Sequence, residues 1–210
     1  MDLTLPNTLK RLFVTEVYCV DLAQSPALDA IITQLDDTCR AMARDDRAGQ
    51  AWSQQNRYVG YTSYGTVRDL AQAAPVFGDL RTVIDAHVAT YARQLELDMG
   101  GRTLKMSEAW VNMLDPMGGH SGHFHPHCAV SGTFYVATPP GSGGLLFEDP
   151  RLPLMMHAPR RSARARPDRQ IQASVMPTRG TLLLWESWLR HEVPVNMGNE
   201  PRISISFNYA

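Results

Sequence analysis

Residues 122–138 read GHFHPHCAVSGTFYVAT. On an extended strand, side chains i and i+2 leave from the same face, so His123 and His125 can present two imidazoles to one point. Beyond the interruption at Pro126, Ser131 to Thr138 is rich in aromatic and β-branched residues and reads as a strand. Working outward from this stretch, Pro and Gly clusters after Gly101 separate short β-leaning runs. They predict strands near 104–114, 122–127, 131–138, 144–149, 170–176, 181–186, 190–195 and 202–209. So many short strands after residue 101 predict a β-sandwich or jelly roll.

Before Gly101 the periods are helical. Ser25-Pro26 reads as an N-cap and first helical residue, and Leu28, Ile31, Ile32, Leu35, Cys39 and Met42 then recur at helical spacing, which predicts a helix over 26–44. Phe77, Leu80, Ile84, Val88, Tyr91 and Leu95 predict a second helix that ends before Gly100-Gly101. Between them RYVGYTSYGTV (57–67) is aromatic and β-leaning, with no assigned element. The expected architecture is mainly β with packed helices in one domain over 1–210: residues 1–101 form a helical support and residues 102–210 the β-core. Pro150 to Arg169 reads as one long loop.

Composition narrows the function classes. With 210 residues and 44% hydrophobic side chains, the chain can bury one sizeable core, and no apolar run approaches the ~20 residues that span a bilayer. The start, MDLTLPNTLKRLFV, lacks an apolar segment behind a basic one, so a cytoplasmic location is expected. Three cysteines without a CxxC pair argue against a disulfide framework or a thiolate zinc site. The net charge of −1 conceals a basic end: residues 151–210 carry nine basic and four acidic side chains. Five of those arginines fall in RRSARARPDR (160–169), with no interleaved aromatics to indicate nucleic acid. This run reads as a solvated loop or as one that engages an anionic substrate. The expected partner is an unidentified substrate and not a membrane, with a homodimer through the first hundred residues left open.

Four of the seven histidines lie within residues 120–127. His123 and His125 are the candidate metal ligands, whereas His120 and His127 read as bystanders, His127 standing next to the metal site or in solvent. One strand cannot supply facial coordination alone. The candidate third ligand is His191, at the start of a short strand in SWLRHEV (187–193). In PRISISFN (201–208) alternation places Arg202, Ser204 and Ser206 on one strand face and Ile203, Ile205 and Phe207 on the other. A face of Arg-Ser-Ser inside a β-protein is costly unless it meets an anion, and guanidinium plus hydroxyl is a donor set for a carboxylate.

His-x-His, a distal His and then Arg-x-Ser in this order resemble the Fe(II)/2-oxoglutarate-dependent oxygenases, which use a double-stranded β-helix. The resemblance covers residues 104–210 and is closest to a group of small bacterial members. It is carried by HFHPHCAVSGTFYV, GGLLFEDPR, RGTLLLWESWLRHEV and PRISISFN. It implies Fe(II) held by His123, His125 and His191, and 2-oxoglutarate gripped by Arg202 with help from Ser204 and Tyr135, with Asn112 facing the same cavity. Trp185 could belong to the shell around the metal, as could Trp110 and Trp188, with core packing the favoured role of each. The implied activity is hydroxylation of an unidentified substrate coupled to formation of succinate and CO2. The departure from the common pattern is His125, where the superfamily usually carries a carboxylate. Asp115, Glu148 and Asp149 lack the spacing to replace it, and three neutral imidazoles neutralise a divalent metal less. Two alternatives remain open: a three-histidine enzyme without 2-oxoglutarate, either a cupin-type dioxygenase or a zinc hydrolase, and a non-catalytic jelly-roll binding protein.

Overall fold

The structure, a computed structural model, describes residues 9–67 and 69–210. The first eight residues of the N-terminal stretch read above for a leader lie outside the described residues. In chain order the elements are β1 (Tyr18–Asp21), α1 (Pro26–Asp45), α2 (Arg47–Gln55), β2 (Gly60–Thr62), α3 (Leu70–Ala73) and α4 (Pro75–Gln94). They continue with β3 (Met106–Leu114), β4 (His120–His123), β5 (Val130–Ala137), β6 (Leu145–Glu148), β7 (Gln172–Val175), β8 (Thr181–Glu186), β9 (His191–Val193) and β10 (Arg202–Tyr209). Two antiparallel sheets result, a six-stranded one in the order β1-β8-β5-β10-β3-β2 and a four-stranded one in the order β4-β9-β6-β7. This is the predicted jelly-roll architecture.

The alternation along β10 organises the molecule. Ile203, Ile205, Phe207 and Tyr209 join Val111, Phe134, Leu182 and Leu184 in a layer covered by Ile32, Leu35 and Cys39 of α1 and by Phe77, Leu80, Ile84, Val88 and Tyr91 of α4. Burying one apolar stripe from each helix against this sheet face removes their large side chains from water, which is the main force holding the layers together. The opposite face of β10 points between the two sheets. Gly132 of β5 permits the close approach of Phe207, since a Cβ there would meet its ring at 2.4 Å.

Several elements differ from expectation. Ser25 makes no side-chain capping bond, so Pro26 at the first helical position carries the start of α1. The strand expected over 122–127 is displaced: β4 ends at His123, and His127 has a positive φ of 67°. Strands β1 and β2, absent from the sequence reading, come from the N-terminal region and pair with β8 and β3. They are too short to show a period and depend on their neighbours for hydrogen bonding. Pro150–Arg169 holds only two short 3₁₀ turns, Leu152–Leu154 and Pro167–Arg169. Among the described residues no helix is long and apolar enough to cross a membrane.

Candidate metal centre

The β4–β9 pairing sets His123 directly opposite His191, and the adjacent β6 sets Phe147 opposite His191. His125 lies just past the end of β4, where its backbone N–H donates to the Ser187 carbonyl at 2.9 Å. One ligating atom from each of His123, His125 and His191 falls in a group whose members all lie within 4.8 Å of one another. The ring centroids of His123 and His191 are 4.4 Å apart, and those of His123 and His125 are 5.1 Å apart. Bond direction is as informative as distance. His123 Nδ1 stands 2.8 Å from the Ser121 carbonyl and His191 Nδ1 stands 2.9 Å from the Leu189 carbonyl. A carbonyl accepts only, so each Nδ1 carries the proton and each Nε2 keeps its lone pair, the tautomer a metal ligand needs.

Burial also favours the neutral form. Desolvation pulls the pKa of His191 down to about 3 and that of His125 down to about 4, with smaller contributions from neighbouring imidazoles. His120, expected to be a bystander, is half-buried on β4, edge-on to Tyr58 at 5.5 Å and 5.1 Å from the His123 ring. Its pKa is likewise lowered to about 4, chiefly by desolvation. His127 is exposed and outside the cluster, and the turn that follows Pro126 is the reason. Trp185 is buried with its ring 4.7 Å from His191, and Trp110 is 6.0 Å from His125, whereas Trp188 is half-exposed.

The second part of the site lies on β10. Arg202 is 3% exposed, its Nε finds no hydrogen-bond partner, and it enters no salt bridge among the described residues. Its guanidinium carbon sits 4.8 Å from the centre of the Tyr135 ring, and the buried Tyr135 hydroxyl is also unpartnered. An unpaired buried cation costs several kcal/mol unless an anion meets it. Arg202, Ser204, Ser206, Thr133 and His120 line one small cavity. The arginine on that wall fits a carboxylate, whereas Tyr135, expected to help grip it, does not line the cavity.

Asn112 borders the same cavity, but its amide is engaged. Its oxygen accepts from Thr62 Oγ1 at 3.0 Å and Tyr58 at 3.4 Å, while its nitrogen donates to Ser206 Oγ at 3.1 Å. Asn112 therefore ties β2 to β3 and β10. The sequence reading missed Trp52, Tyr58 and Tyr64, which wall a cavity of about 410 Å³ over His123 and His125. Asp46 positions this wall: it caps α2 through Gly49 N–H at 2.9 Å and accepts from Tyr61 Oη at 2.8 Å. The aromatic density of RYVGYTSYGTV was the only available signal. His157 and the arginines at 160, 161, 164, 166 and 169 are exposed, and none lines either cavity.

No curated protein matches the chain. Among solved structures, the epimerase SnoN in complex with Fe3+, alpha ketoglutarate and nogalamycin RO is 15% identical over 93% of this chain and 78% of that one, with a TM-score of 0.63. A Pseudomonas putida prolyl-4-hydroxylase is 15% identical over 93% of this chain and 92% of that one, with a TM-score of 0.57. A 2OG-Fe(II) oxygenase family oxidoreductase from Burkholderia pseudomallei is 18% identical over 52% of this chain; the chain spans only 46% of that protein, and the TM-score is 0.39. The first two likenesses establish a shared fold. Residues 108–208, from β3 through nearly all of β10, match the family model described as "Putative 2OG-Fe(II) oxygenase". The matched stretch carries the three histidines and Arg202, so the β-core of this chain is similar to the 2OG-Fe(II) oxygenase family.

Proposed function

We propose that the protein is an Fe(II)- and 2-oxoglutarate-dependent hydroxylase of a small molecule, with His123, His125 and His191 as the metal ligands. The observation that carries this reading is the buried, unpaired Arg202 between the same two sheets as the three imidazoles. A hydrolytic zinc site needs a metal and water but no internal cation of this kind.

Iron bound with the keto acid would supply oxidative chemistry with O2 as the oxidant, one oxygen atom ending in succinate as 2-oxoglutarate loses CO2 and the other in the hydroxylated substrate. The residues of the chain bind and orient. His123 and His191 offer Nε2 because backbone carbonyls hold their Nδ1 protons. Arg202 would meet the remote carboxylate, with Ser204 on the same cavity wall and the Tyr135 ring packed against the guanidinium from behind. Asn112 acts through Ser206 and Tyr58 to keep that wall in place. Trp185 and Phe147 pack on His191 and exclude water from one side of the centre. The SnoN structure, which holds Fe3+ and alpha ketoglutarate, supports the cofactor pair; as an epimerase it leaves hydroxylation resting on the family's default outcome. A cytoplasmic setting, where Fe(II) and 2-oxoglutarate coexist, suits three free cysteines.

The test is anaerobic loading with Fe(II) followed by 2-oxoglutarate. A weak visible charge-transfer band is expected on addition of the keto acid. Fully metal-loaded protein that shows neither the band nor keto acid binding overturns the proposal.

A further inference from the structure

The cavity over His123 and His125 has a composition that selects its occupant. Its volume, about 410 Å³, suits a small molecule. Trp52, Tyr58, Tyr64, Trp110 and Phe124 turn aromatic surface towards it. The rings support one another edge to face: Trp52 and Tyr64 are 5.6 Å apart, and Tyr64 and Trp110 are 5.3 Å apart. Trp110 in turn lies 6.0 Å from His125, so the aromatic wall reaches the metal centre.

Among the described residues, the one acidic or basic side chain of the lining, histidines aside, is Glu108. Its carboxylate is fixed from the buried side, because Asn208 Nδ2 donates to Oε2 at 3.1 Å. Asn208, 3% exposed, accepts in turn from Ser131 Oγ at 2.8 Å. The inner face of β10 therefore has opposite polarity at its two ends: Arg202 without an acid partner at one, and Asn208 holding a carboxylate at the other. Aromatic faces attract cations, and the attraction strengthens where water is excluded. A carboxylate at the same site adds a counter-charge and penalises an anionic ligand.

We propose that the substrate carries a positively charged nitrogen on a compact apolar body, held among these rings with Glu108 as its counter-ion. This rests on the reading of the neighbouring histidines as an active centre and names the class of substrate that centre acts on. The orientation follows: the cationic nitrogen sits towards Glu108 and Tyr64, and an apolar carbon faces the histidines.

The experiment uses a charge series on one carbon skeleton: choline, its uncharged isostere 3,3-dimethylbutan-1-ol, and 3,3-dimethylbutanoate. Binding is measured by calorimetry on metal-free protein and on anaerobic protein loaded with Fe(II) and 2-oxoglutarate. Choline is expected to bind about tenfold tighter than the alcohol, and the carboxylate weakest. Glu108→Gln and Tyr64→Leu, both at exposed positions that put the fold at little risk, are each expected to cut the preference for choline over the alcohol to about threefold or less. Equal or tighter binding of the alcohol overturns the proposal, as does failure of all three probes to bind. A choline preference that survives both variants overturns the assignment to this cage. Because the metal-free arm is independent of iron, a preference there without keto acid binding sinks the oxygenase reading and leaves the cage standing; keto acid binding without the preference does the reverse.

Discussion

At the residue scale, the proposed site divides into groups assigned to a metal and groups assigned to an anion, and substitution should separate them. His125→Ala should abolish stoichiometric metal binding, whereas His127→Ala, at an exposed turn residue, should leave metal content at wild type in elemental analysis. Arg202→Leu should weaken 2-oxoglutarate at least about 30-fold, corresponding to loss of a buried charge-assisted pair worth ~2 kcal/mol or more, with metal content unchanged. Loss of metal in Arg202→Leu would place the arginine in a structural role instead. The sequence singled out His123 and His125 by their spacing on one strand face, His191 as the distal third ligand, and Arg202 because a charged face inside a β-protein is costly without an anion. It gave no comparable signal for Trp52 or Tyr64, since an aromatic side chain in a core and one in a pocket wall look alike along the chain.

The element scale is where strand alternation acts. On β10 one face packs Ile203, Ile205 and Phe207 under the helices while the other carries Arg202, Ser204 and Ser206 inward, so a single strand serves both the core and the cavity. Gly132→Ala should destabilise the fold by about 1–3 kcal/mol, read from chemical denaturation, because the new Cβ would displace the Phe207 ring. Phe207→Ala should cost about 3–5 kcal/mol through the cavity it leaves. The long helices α1 and α4 were legible from their period, β10 from its alternation, and β3, β5 and β8 as β-leaning runs bounded by Pro and Gly clusters. Strands β1 and β2 were not, and neither was the end of β4 at His123, where the turn at Pro126 breaks the expected run.

For the whole molecule, the buried histidines tie stability to pH. His120 and His125 titrate near 4 and His191 near 3 in the folded chain, against about 6.5 when unfolded, because burial penalises the imidazolium. The unfolded state therefore binds more protons between roughly pH 6.5 and 4, so the stability of the metal-free protein should fall as pH drops through that window. Thermal melts at pH 7.5 and 4.5 check this, and replacing His120 with Gln should flatten the slope. Bound metal should raise the melting temperature more at pH 7.5 than at 4.5, since protons compete for the same nitrogens. The basic loop lies apart from both cavities. Replacing Arg160, Arg161 and Arg164 with Ser should leave metal and keto acid binding within about twofold of wild type.

What the sequence determined by itself was periodic or chemically expensive: the jelly-roll strands, the two long helices, and the histidine and arginine positions that cannot be buried without a partner. Only the tertiary structure decided which residues meet across the chain. The 410 Å³ cavity is walled by Trp52 and Tyr64 from the N-terminal region and by Trp110 from β3, brought together by α2, by β2 pairing with β3, and by Asp46 bonding across them. Such a wall has no local signature, because its members are chosen by contacts between segments some fifty residues apart, and a period along the chain registers only what repeats within one element.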